Sequence, residues 1–552
     1  MADTLKASEQ GLTVVDRYRQ QKKWTKSNSS VWWLTAHTSK ATLRRFWAAN
    51  PIQRESFIAI CKAVGISDWE AISAADDLET AIEKPQVQEW GEAPDLEKFY
   101  GRKDEIAQLE AWFLKDACKL IAIWGMGGIG KTALALTVAD RVQEQFDYVI
   151  WRSLQSAPSL STLLQGLLTS LSLEQVENDS EDFLEDFLED ESARTQQNLM
   201  QFIECLKQKR CLIVLDGIEA VFQSYESKRP RTGYFRRGYE DYELLLQQLE
   251  IARHQSCIVL TSREKPEAIA LAEHKNSPVR SLTLKGLQIE DAAELFKTKG
   301  FSGEEQGLSE LVALYSGNPL ALRVIATMIQ EYFKGNITYF LSQNTLVLGD
   351  RMRTLLNQQI ERLSDLEKEL IRWLTIEQTP VTLEQLRRNL LVPPSFSQLI
   401  EAVASLERRS LLEKIVLEQE VLFTLPPLAI KYVMDDLVEQ SVKEIDRAIE
   451  TQDIEAFQIL RNYALIESPG ATSDREIASR LLTKIGNSLI RAYKSEGTTL
   501  QELSKLLSLL QGKSFLTIGY AGYNLHHLLR FLGVDVSNYD LETIAIEAEN
   551  AS

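Results

Sequence analysis

Long apolar segments are absent from this sequence of 552 residues. No run approaches the roughly 18 apolar residues that a membrane-spanning helix requires, and the N-terminal segment MADTLKASEQ contains no apolar signal sequence. The five cysteines form no C-x-x-C pair, and the five histidines show no zinc-ligand spacing. We therefore expect a cytoplasmic protein with free thiols, without a membrane partner and without a Cys/His metal site.

Glycine and proline are also infrequent, with 26 and 14 residues, which disfavours an all-β or low-complexity chain and favours helices. Hydrophobic residues make up 44% and charged residues 25% of the sequence, which is the balance of a folded globular protein. The length suits roughly three to five domains of about 100–200 residues each. A multidomain chain is therefore expected.

The net charge of −18 is unevenly distributed along the chain. Up to residue 70, eleven Lys and Arg residues against six Asp and Glu residues give +5, which leaves −23 for the remainder. A basic N-terminal head on an acidic body indicates that the two parts meet different partners.

Short apolar segments alternate with helical segments in the region that begins at Phe99. Strands are predicted at Lys119–Trp124, Tyr148–Trp151, Cys211–Leu215 and Cys257–Leu260. This alternation predicts an α/β domain whose parallel sheet is covered on both faces. Beyond about Leu284 helices dominate, apart from a possible hairpin around Leu412–Phe423.

The most specific motif is the octapeptide GMGGIGKT at residues 125–132, which fits the pattern G-x-x-x-x-G-K-[ST]. It follows a predicted strand and opens a predicted helix, Lys131–Val142. Glycines allow successive N–H groups to face phosphate oxygens, and the helix N-terminus adds a positive potential. Lys131 is expected to reach the β- and γ-phosphates, and the Thr132 hydroxyl to ligate Mg²⁺. The predicted ATP/ADP site comprises Gly125, Gly127, Gly128, Ile129, Gly130, Lys131, Thr132 and Ala133.

Three further side chains are predicted at the carboxyl ends of the strands. Asp216, which ends the segment CLIVLD, is expected to hold Mg²⁺ beside the phosphate loop. Glu219 is a candidate for polarising an attacking water, although a glutamate in such a loop can also be simply solvated. Arg263 can reach a γ-phosphate and distinguish ATP from ADP, unless it is a surface arginine. Together with Lys131, these residues form the predicted catalytic set.

Two more motifs flank the predicted sheet: FYGR at residues 99–102 precedes it, and GNPLAL at residues 317–322 follows it. The five motifs, in this order, resemble those of bacterial signal-transducing P-loop ATPases of the NB-ARC and NACHT type, in the AAA+ branch. The resemblance extends over roughly residues 96–435. It implies that Gly101, Arg102 and Pro319 line the adenine pocket and that Arg263 is the sensor arginine.

The sequence departs from the family pattern in two places. Gly217 follows the metal-binding aspartate where the NB-ARC branch usually has a second aspartate, which is closer to the NACHT pattern. The segment FTLPPL at residues 423–428 contains no histidine, whereas plant and animal relatives use a Met-His-Asp histidine there to hold the ADP β-phosphate. An ADP-locked state with the same contacts is therefore not expected.

The resemblance implies a multidomain fold with an α/β P-loop core flanked by all-α domains and a winged helix. The predicted divisions are a helix-turn-helix-like head (1–75), a linker (76–95), the P-loop nucleotide-binding domain (96–284), a helical subdomain (285–348), a winged-helix domain (349–438) and a C-terminal helical domain (439–552). Residues 519–525 and 534–537 resemble the join that precedes WD-type or pentapeptide sensor repeats in related bacterial proteins. We expect a short member of that group or a fragment of a longer one.

Residues 39–66 of the basic head resemble a Cro/phage-repressor helix-turn-helix. In that fold the third helix enters the major groove of DNA. The DNA-facing candidates are Lys40, Thr42, Arg44 and Arg45. The same fold can instead act as an adaptor that recruits a partner protein through the apolar surface near three tryptophans, and both interpretations stay open.

Together these features predict a nucleotide-dependent signal-transduction switch. ADP would hold a closed monomer, ATP·Mg²⁺ would permit self-association, slow ATP hydrolysis would reset the switch, and the head would pass the signal to a protein partner. The alternatives are an ATP-regulated, DNA-binding transcription regulator and an ATPase with steady turnover.

Overall fold

The computed structural model describes residues 4–22, 24, 30–66, 69, 72–73, 87–95, 99–171, 191–223, 232–274, 277–343, 346–417, 420–465 and 475–534. No helix among these residues is both long enough and apolar enough to cross a membrane.

Within the described residues, the head consists of a short antiparallel strand pair and four helices. These are β1 (Thr4–Leu5), β2 (Ile52–Gln53), α1 (Glu9–Gln21), α2 (Ser30–Thr35), α3 (Lys40–Trp47) and α4 (Arg54–Val64). Ser39 caps α3, because its Oγ accepts a hydrogen bond from Thr42 N (3.0 Å). Trp32, Phe46 and Phe57 are fully buried in the head. The head is thus mainly helical, and its helix-turn-helix assignment stays a prediction.

A six-stranded, wholly parallel sheet forms the centre of the predicted nucleotide-binding region, which confirms the predicted α/β core. Its strands are β3 (Val87–Glu89), β4 (Leu120–Trp124), β5 (Tyr148–Ser153), β6 (Cys211–Asp216), β7 (Cys257–Ser262) and β8 (Val279–Thr283). Their order across the sheet is β3-β5-β6-β7-β4-β8. β3 lies within the predicted linker 76–95, so that these three residues of the segment belong to the sheet. Neither edge strand carries the continuous apolar run that marks the four central strands.

Alternate residues of each strand pack on opposite faces of this sheet. In β4, Ile121 and Ile123 belong to the apolar cluster with α5 (Lys103–Leu114) and α6 (Lys131–Val142). Leu120 and Ala122 instead belong to the cluster on the other face. Three helices supply most of that second face: α7 (Leu160–Leu171), α8 (Glu191–Gln208) and α9 (Asp241–Ile251), with α10 (Glu267–Ala272) beside them. The period of two explains why both faces of the strands are apolar.

A separate apolar cluster follows the sheet and reaches back to the loop after β4. Its helices are α11 (Ile289–Lys297), α12 (Leu308–Leu314), α13 (Pro319–Phe333), α14 (Ile337–Ser342) and α15 (Asp350–Glu361). Met126, from the octapeptide, is buried in this same cluster. The phosphate-loop segment is therefore anchored in the core of the helical region as well as in the sheet.

The remaining described helices share one continuous apolar core that runs from Leu363 to Leu529. The elements are α16 (Asp365–Glu377), α17 (Leu383–Asn389), α18 (Phe396–Arg408), β9 (Glu413–Leu417), β10 (Glu420–Thr424), α19 (Pro427–Thr451), α20 (Ile459–Asn462), α21 (Arg475–Tyr493), α22 (Glu496–Leu510), α23 (Phe515–Ile518) and α24 (Ala521–Phe531). Capping boxes begin α16, α17 and α18, which fixes the residues at which these helices start. The predicted hairpin is also present, as β9 and β10.

The predicted boundary at residue 438 falls inside α19, so that one continuous helix joins the segments on either side of it. The winged-helix assignment of residues 349–438 remains a prediction, although its helices and hairpin are found. Residues 535–537 of the predicted join to sensor repeats lie outside the described residues.

Candidate phosphate-binding site

The octapeptide forms a tight loop between β4 and α6, as the motif predicts. Gly128 and Gly130 have φ values of 77° and 102°, in the left-handed region that side chains other than glycine rarely adopt. At Gly128 an added Cβ would also lie 2.9 Å from side-chain atoms of Leu320. Glycine is therefore required at this position both by the backbone conformation and by the neighbouring helix α13.

Lys131 is the first residue of α6 and is buried. Its Nζ donates hydrogen bonds to the carbonyl oxygens of Gly125 (2.8 Å) and Met126 (3.0 Å). Burial lowers the pKa of Lys131 to about 8, while the nearby carboxylates of Glu219 and Asp216 oppose this shift. A buried ammonium group next to backbone turns of this kind is suited to bind an anion.

Asp216 lies at the carboxyl end of β6 and is buried, as expected for a group positioned by a central strand. Its Oδ1 accepts hydrogen bonds from the hydroxyl groups of Thr132 (2.7 Å) and Thr261 (2.6 Å). Burial raises the pKa of Asp216, whereas these two hydrogen bonds lower it. The sequence motifs did not single out Thr261, because a threonine at the end of an apolar strand carries no distinctive spacing.

The donor set at this position fits a magnesium ion. Thr132 and Asp216 both present hard oxygen ligands, which Mg²⁺ prefers, and the two oxygens lie 2.7 Å apart. β7 separates β6 from β4 in the sheet, so that the aspartate reaches the phosphate loop across one intervening strand. The two residues predicted to hold Mg²⁺ are thus brought together.

Glu219 and Arg263 also meet, and they bind each other. Arg263 Nε lies 3.2 Å from Glu219 Oε1, and Arg263 Nη1 donates to Gln358 Oε1 at 3.2 Å. Gln358 belongs to α15, outside the sheet domain. The predicted sensor arginine therefore already links the end of β7, the turn after β6 and a helix of the following region.

A buried ion network continues from this pair into the following region. Glu264, only 1% exposed, pairs with Arg409 Nη1 (2.7 Å) and Arg362 Nη2 (3.3 Å). Arg409 Nε also lies 3.6 Å from Glu367, which is likewise buried. Arg362 Nη1 donates to the main-chain oxygen of Glu219 (2.9 Å). None of these contacts was predicted, because isolated Glu and Arg residues are indistinguishable from surface charges in a sequence.

The residues predicted to line the adenine pocket lie in two segments that contact the loop. Gly101 packs against Asp291 of α11, and the Arg102 amide donates to an Asp291 carboxylate oxygen (3.3 Å). The Arg102 side chain is buried and donates to Ile129 O at 3.2 Å. Pro319 is the first residue of α13, the helix that contacts Gly128. The structure therefore brings all three residues close to the phosphate loop, whereas their predicted contact with adenine stays untested.

Two of the four DNA-facing candidates in the head instead contact residues of β3 and of the segments next to it in the structure. Lys40 forms an ion pair with Asp95, and Arg45 hydrogen-bonds to Gln88 of β3 and to Gln143 (2.9 Å). Burial lowers the pKa of Arg45. This face of α3 is therefore an internal contact surface, and DNA binding by these residues stays a prediction.

The parallel sheet and its glycine loop define a P-loop ATPase fold. The family model for the NB-ARC domain matches residues 102–227, which supports the expected NB-ARC P-loop ATPase family. An uncharacterised WD repeat-containing protein of Nostoc sp. is 34% identical over 98% of this chain and 47% of its own length. A probable disease resistance protein of Arabidopsis thaliana is 25% identical over 45% of this chain and 22% of its own length.

The chain thus spans about half the length of the Nostoc relative and less of the plant relative. A solved Walker-type ATPase of Pyrococcus abyssi aligns with a TM-score of 0.41 and 14% identity, over 63% of this chain and 98% of that chain. A signal-transduction ATPase of Pyrococcus horikoshii with a tetratricopeptide repeat sensor aligns with a TM-score of 0.31 and 17% identity, over 80% and 58% of the two chains.

The ion network leads to a stability prediction for Glu264→Gln. The substitution keeps the size of the side chain but leaves Arg362 without its buried anion and weakens the pairing of Arg409. Breaking a buried ion pair costs about 3 kcal/mol or more. We expect calorimetry of the full chain to show the first unfolding transition lowered by roughly 6 °C or more.

The matched control is Glu439→Gln, which removes the carboxylate of an exposed pair with Lys443, whose two side chains are 66% and 61% exposed. Exposed pairs contribute about 0.5 kcal/mol or less, so that this transition should stay nearly unchanged. Equal shifts for the two variants would contradict the importance of the buried network.

Proposed function

We propose that this protein is a nucleotide-dependent signal-transduction switch that binds ADP and ATP. The proposal rests on the contacts of Arg263 and Glu219, which pair with each other and also bind the region that follows the sheet. Both belong to the predicted γ-phosphate side of the site, and both are hydrogen-bonded to the region that follows the sheet, through Gln358 and Arg362. A ligand that re-orients either residue must therefore alter the contact between the two regions.

The phosphate-binding role falls to the loop N–H groups and to Lys131. Thr132 and Asp216 would hold Mg²⁺, which neutralises phosphate charge when bound. Lys131 would exchange its hydrogen bonds to Gly125 and Met126 for charge-assisted bonds to phosphate oxygens, which are stronger than bonds to neutral carbonyls.

The distinction between ADP and ATP is assigned to Arg263. An arginine that binds a γ-phosphate turns away, at least in part, from Glu219 and Gln358, because its planar guanidinium has a fixed set of donor directions. ATP would therefore weaken the attachment of α15, whereas ADP would leave it in place. Since residues 423–428 contain no histidine, we assign the closing role to Glu264, Arg362 and Arg409.

Slow hydrolysis follows from the surroundings of Glu219. Its Oε1 binds Arg263, while its buried Oε2 accepts no hydrogen bond from a described residue and can orient an attacking water. While Arg263 binds Oε1, only Oε2 of Glu219 is available to orient a water, which limits the rate of attack. Hydrolysis would then act as a reset and not as steady turnover.

The remaining parts of the proposal concern assembly and output. Release of α15 by ATP would expose surface for self-association, and the head would pass the signal to a partner protein. The contacts of Lys40 and Arg45 with the nucleotide-binding region would hold the head in the closed state. The contact made by these two basic residues favours an adaptor over a DNA-binding head.

Lys131→Ala tests nucleotide binding itself. The substitution removes a cation whose charge-assisted bonds to phosphate contribute about 1.5–3 kcal/mol each. Isothermal titration calorimetry should show at least a tenfold loss of affinity for both ATP and ADP, with an unchanged circular dichroism spectrum. Unchanged ADP affinity would refute the phosphate-loop assignment.

Arg263→Ala tests nucleotide discrimination. We expect at least a tenfold loss of ATP affinity, a much smaller loss of ADP affinity and no ATP-driven assembly by light scattering. Arg141→Ala is the control, because Arg141 is an exposed arginine on α6 that pairs only weakly with Glu110 (3.4 Å). Equal losses for ATP and ADP in Arg263→Ala would mean that this residue does not sense the γ-phosphate.

A further inference from the structure

We propose that Asn318 is a positioning residue that sets the conformation of the phosphate loop from outside the nucleotide-binding domain. The inference rests on the proposed nucleotide binding and adds a residue whose side chain was assigned no role by the sequence motifs. Asn318 immediately precedes α13 and is 1% exposed. Its side-chain amide nitrogen donates to Gly127 O at 3.0 Å.

The orientation of this amide is determined by the helix that it caps. Asn318 Oδ1 accepts hydrogen bonds from the main-chain nitrogens of Leu320 (3.1 Å) and Ala321 (3.2 Å) at the start of α13. Free N–H groups at a helix start require an acceptor, so the oxygen faces the helix and the nitrogen must face Gly127. One side chain therefore both caps α13 and donates to the loop.

The outward carbonyl of Gly127 has a direct consequence for the next N–H group. In a planar trans peptide the C=O and the following N–H point in opposite directions. A hydrogen bond that holds Gly127 O toward Asn318 thus directs the N–H of Gly128 away from α13, toward the concave side of the loop, where phosphate oxygens bind in this type of loop.

Neighbouring carbonyl groups of the loop are held in the same manner. Gly128 O accepts a hydrogen bond from Leu320 N (3.4 Å), and Ile129 O accepts one from the Arg102 side chain (3.2 Å). These donors come from α13 and from the start of α5, outside the loop itself. Two segments outside the loop thus hold its carbonyl groups in place. The hydrogen bond from Asn318 is the shortest of the three.

Only asparagine among the common capping residues can perform both tasks. Serine can cap α13, but it is too short to reach a second backbone segment. Aspartate can cap α13 and matches asparagine in shape, but its carboxylate has no hydrogen to donate to Gly127 O. Asn318→Ser and Asn318→Asp therefore retain the cap and remove the bond to the loop, and the aspartate also places a buried negative charge against Gly127 O.

The control is Asn336→Ser. Asn336 caps α14 by accepting a hydrogen bond from Tyr339 N (2.8 Å), in the same helical region but away from the loop. Calorimetric titration of the full chain with ADP should show a loss of about five- to tenfold for Asn318→Ser and a larger loss for Asn318→Asp. Asn336→Ser should bind ADP within twofold of the wild type, with a similar change in melting temperature to that of Asn318→Ser.

Hydrogen exchange in the absence of nucleotide supplies a readout that does not depend on binding. The amides of residues 126–130 should exchange faster in both Asn318 variants than in Asn336→Ser. Faster exchange in the Asn318 variants together with their expected loss of ADP affinity supports both proposals. Faster exchange in these variants when the wild-type chain itself binds no ADP supports the positioning role but refutes the nucleotide-binding function. Exchange and ADP affinity equal to those of Asn336→Ser would overturn the role of Asn318.

Discussion

The buried carboxylate of Glu264, held between Arg362 and Arg409, is the contact on which the rest of the architecture depends. Removing charged groups from water is costly unless each charge finds a partner. The glutamate follows β7 of the sheet, whereas its arginines follow α15 and α18 of the next region. If the two regions separate, each of these charges loses its ion-pair partner or becomes exposed to water. The network therefore favours two discrete arrangements, docked or separated, over a range of intermediate ones.

The contact of Glu264 with Arg362 and Arg409 forms the joint between the sheet and the region that follows it. The candidate nucleotide site lies directly against this joint. Arg263 and Glu264 are consecutive residues, so that the side chain assigned to sense phosphate and the side chain that holds the joint share one stretch of backbone. Glu219 is connected in the same way, since Arg362 binds its carbonyl oxygen while Arg263 binds its carboxylate. A difference in binding free energy between two nucleotides can then become a difference in the docking equilibrium, as linkage requires.

Local signals in the sequence were sufficient to predict the central strands of the sheet and the phosphate loop. The octapeptide, the four central strands and the helix Lys131–Val142 were predicted because each rests on spacing within one segment. Edge strand β3 was missed, since it has three residues and no apolar run. The Glu264 network and the bond from Asn318 to Gly127 were missed because they join residues 145 and 191 positions apart, and only the folded chain brings such residues together.

Hydrogen–deuterium exchange of the full chain with ADP, and then with ATP and Mg²⁺, tests most directly whether nucleotide identity controls the joint. Faster amide exchange with ATP is expected in two segments that carry the joint, residues 356–363 and 404–410. Residues 437–448 of α19, in the shared core of the following region, should exchange equally in both states. Identical exchange of the two joint segments in a chain that binds both nucleotides would show that nucleotide identity does not control the joint.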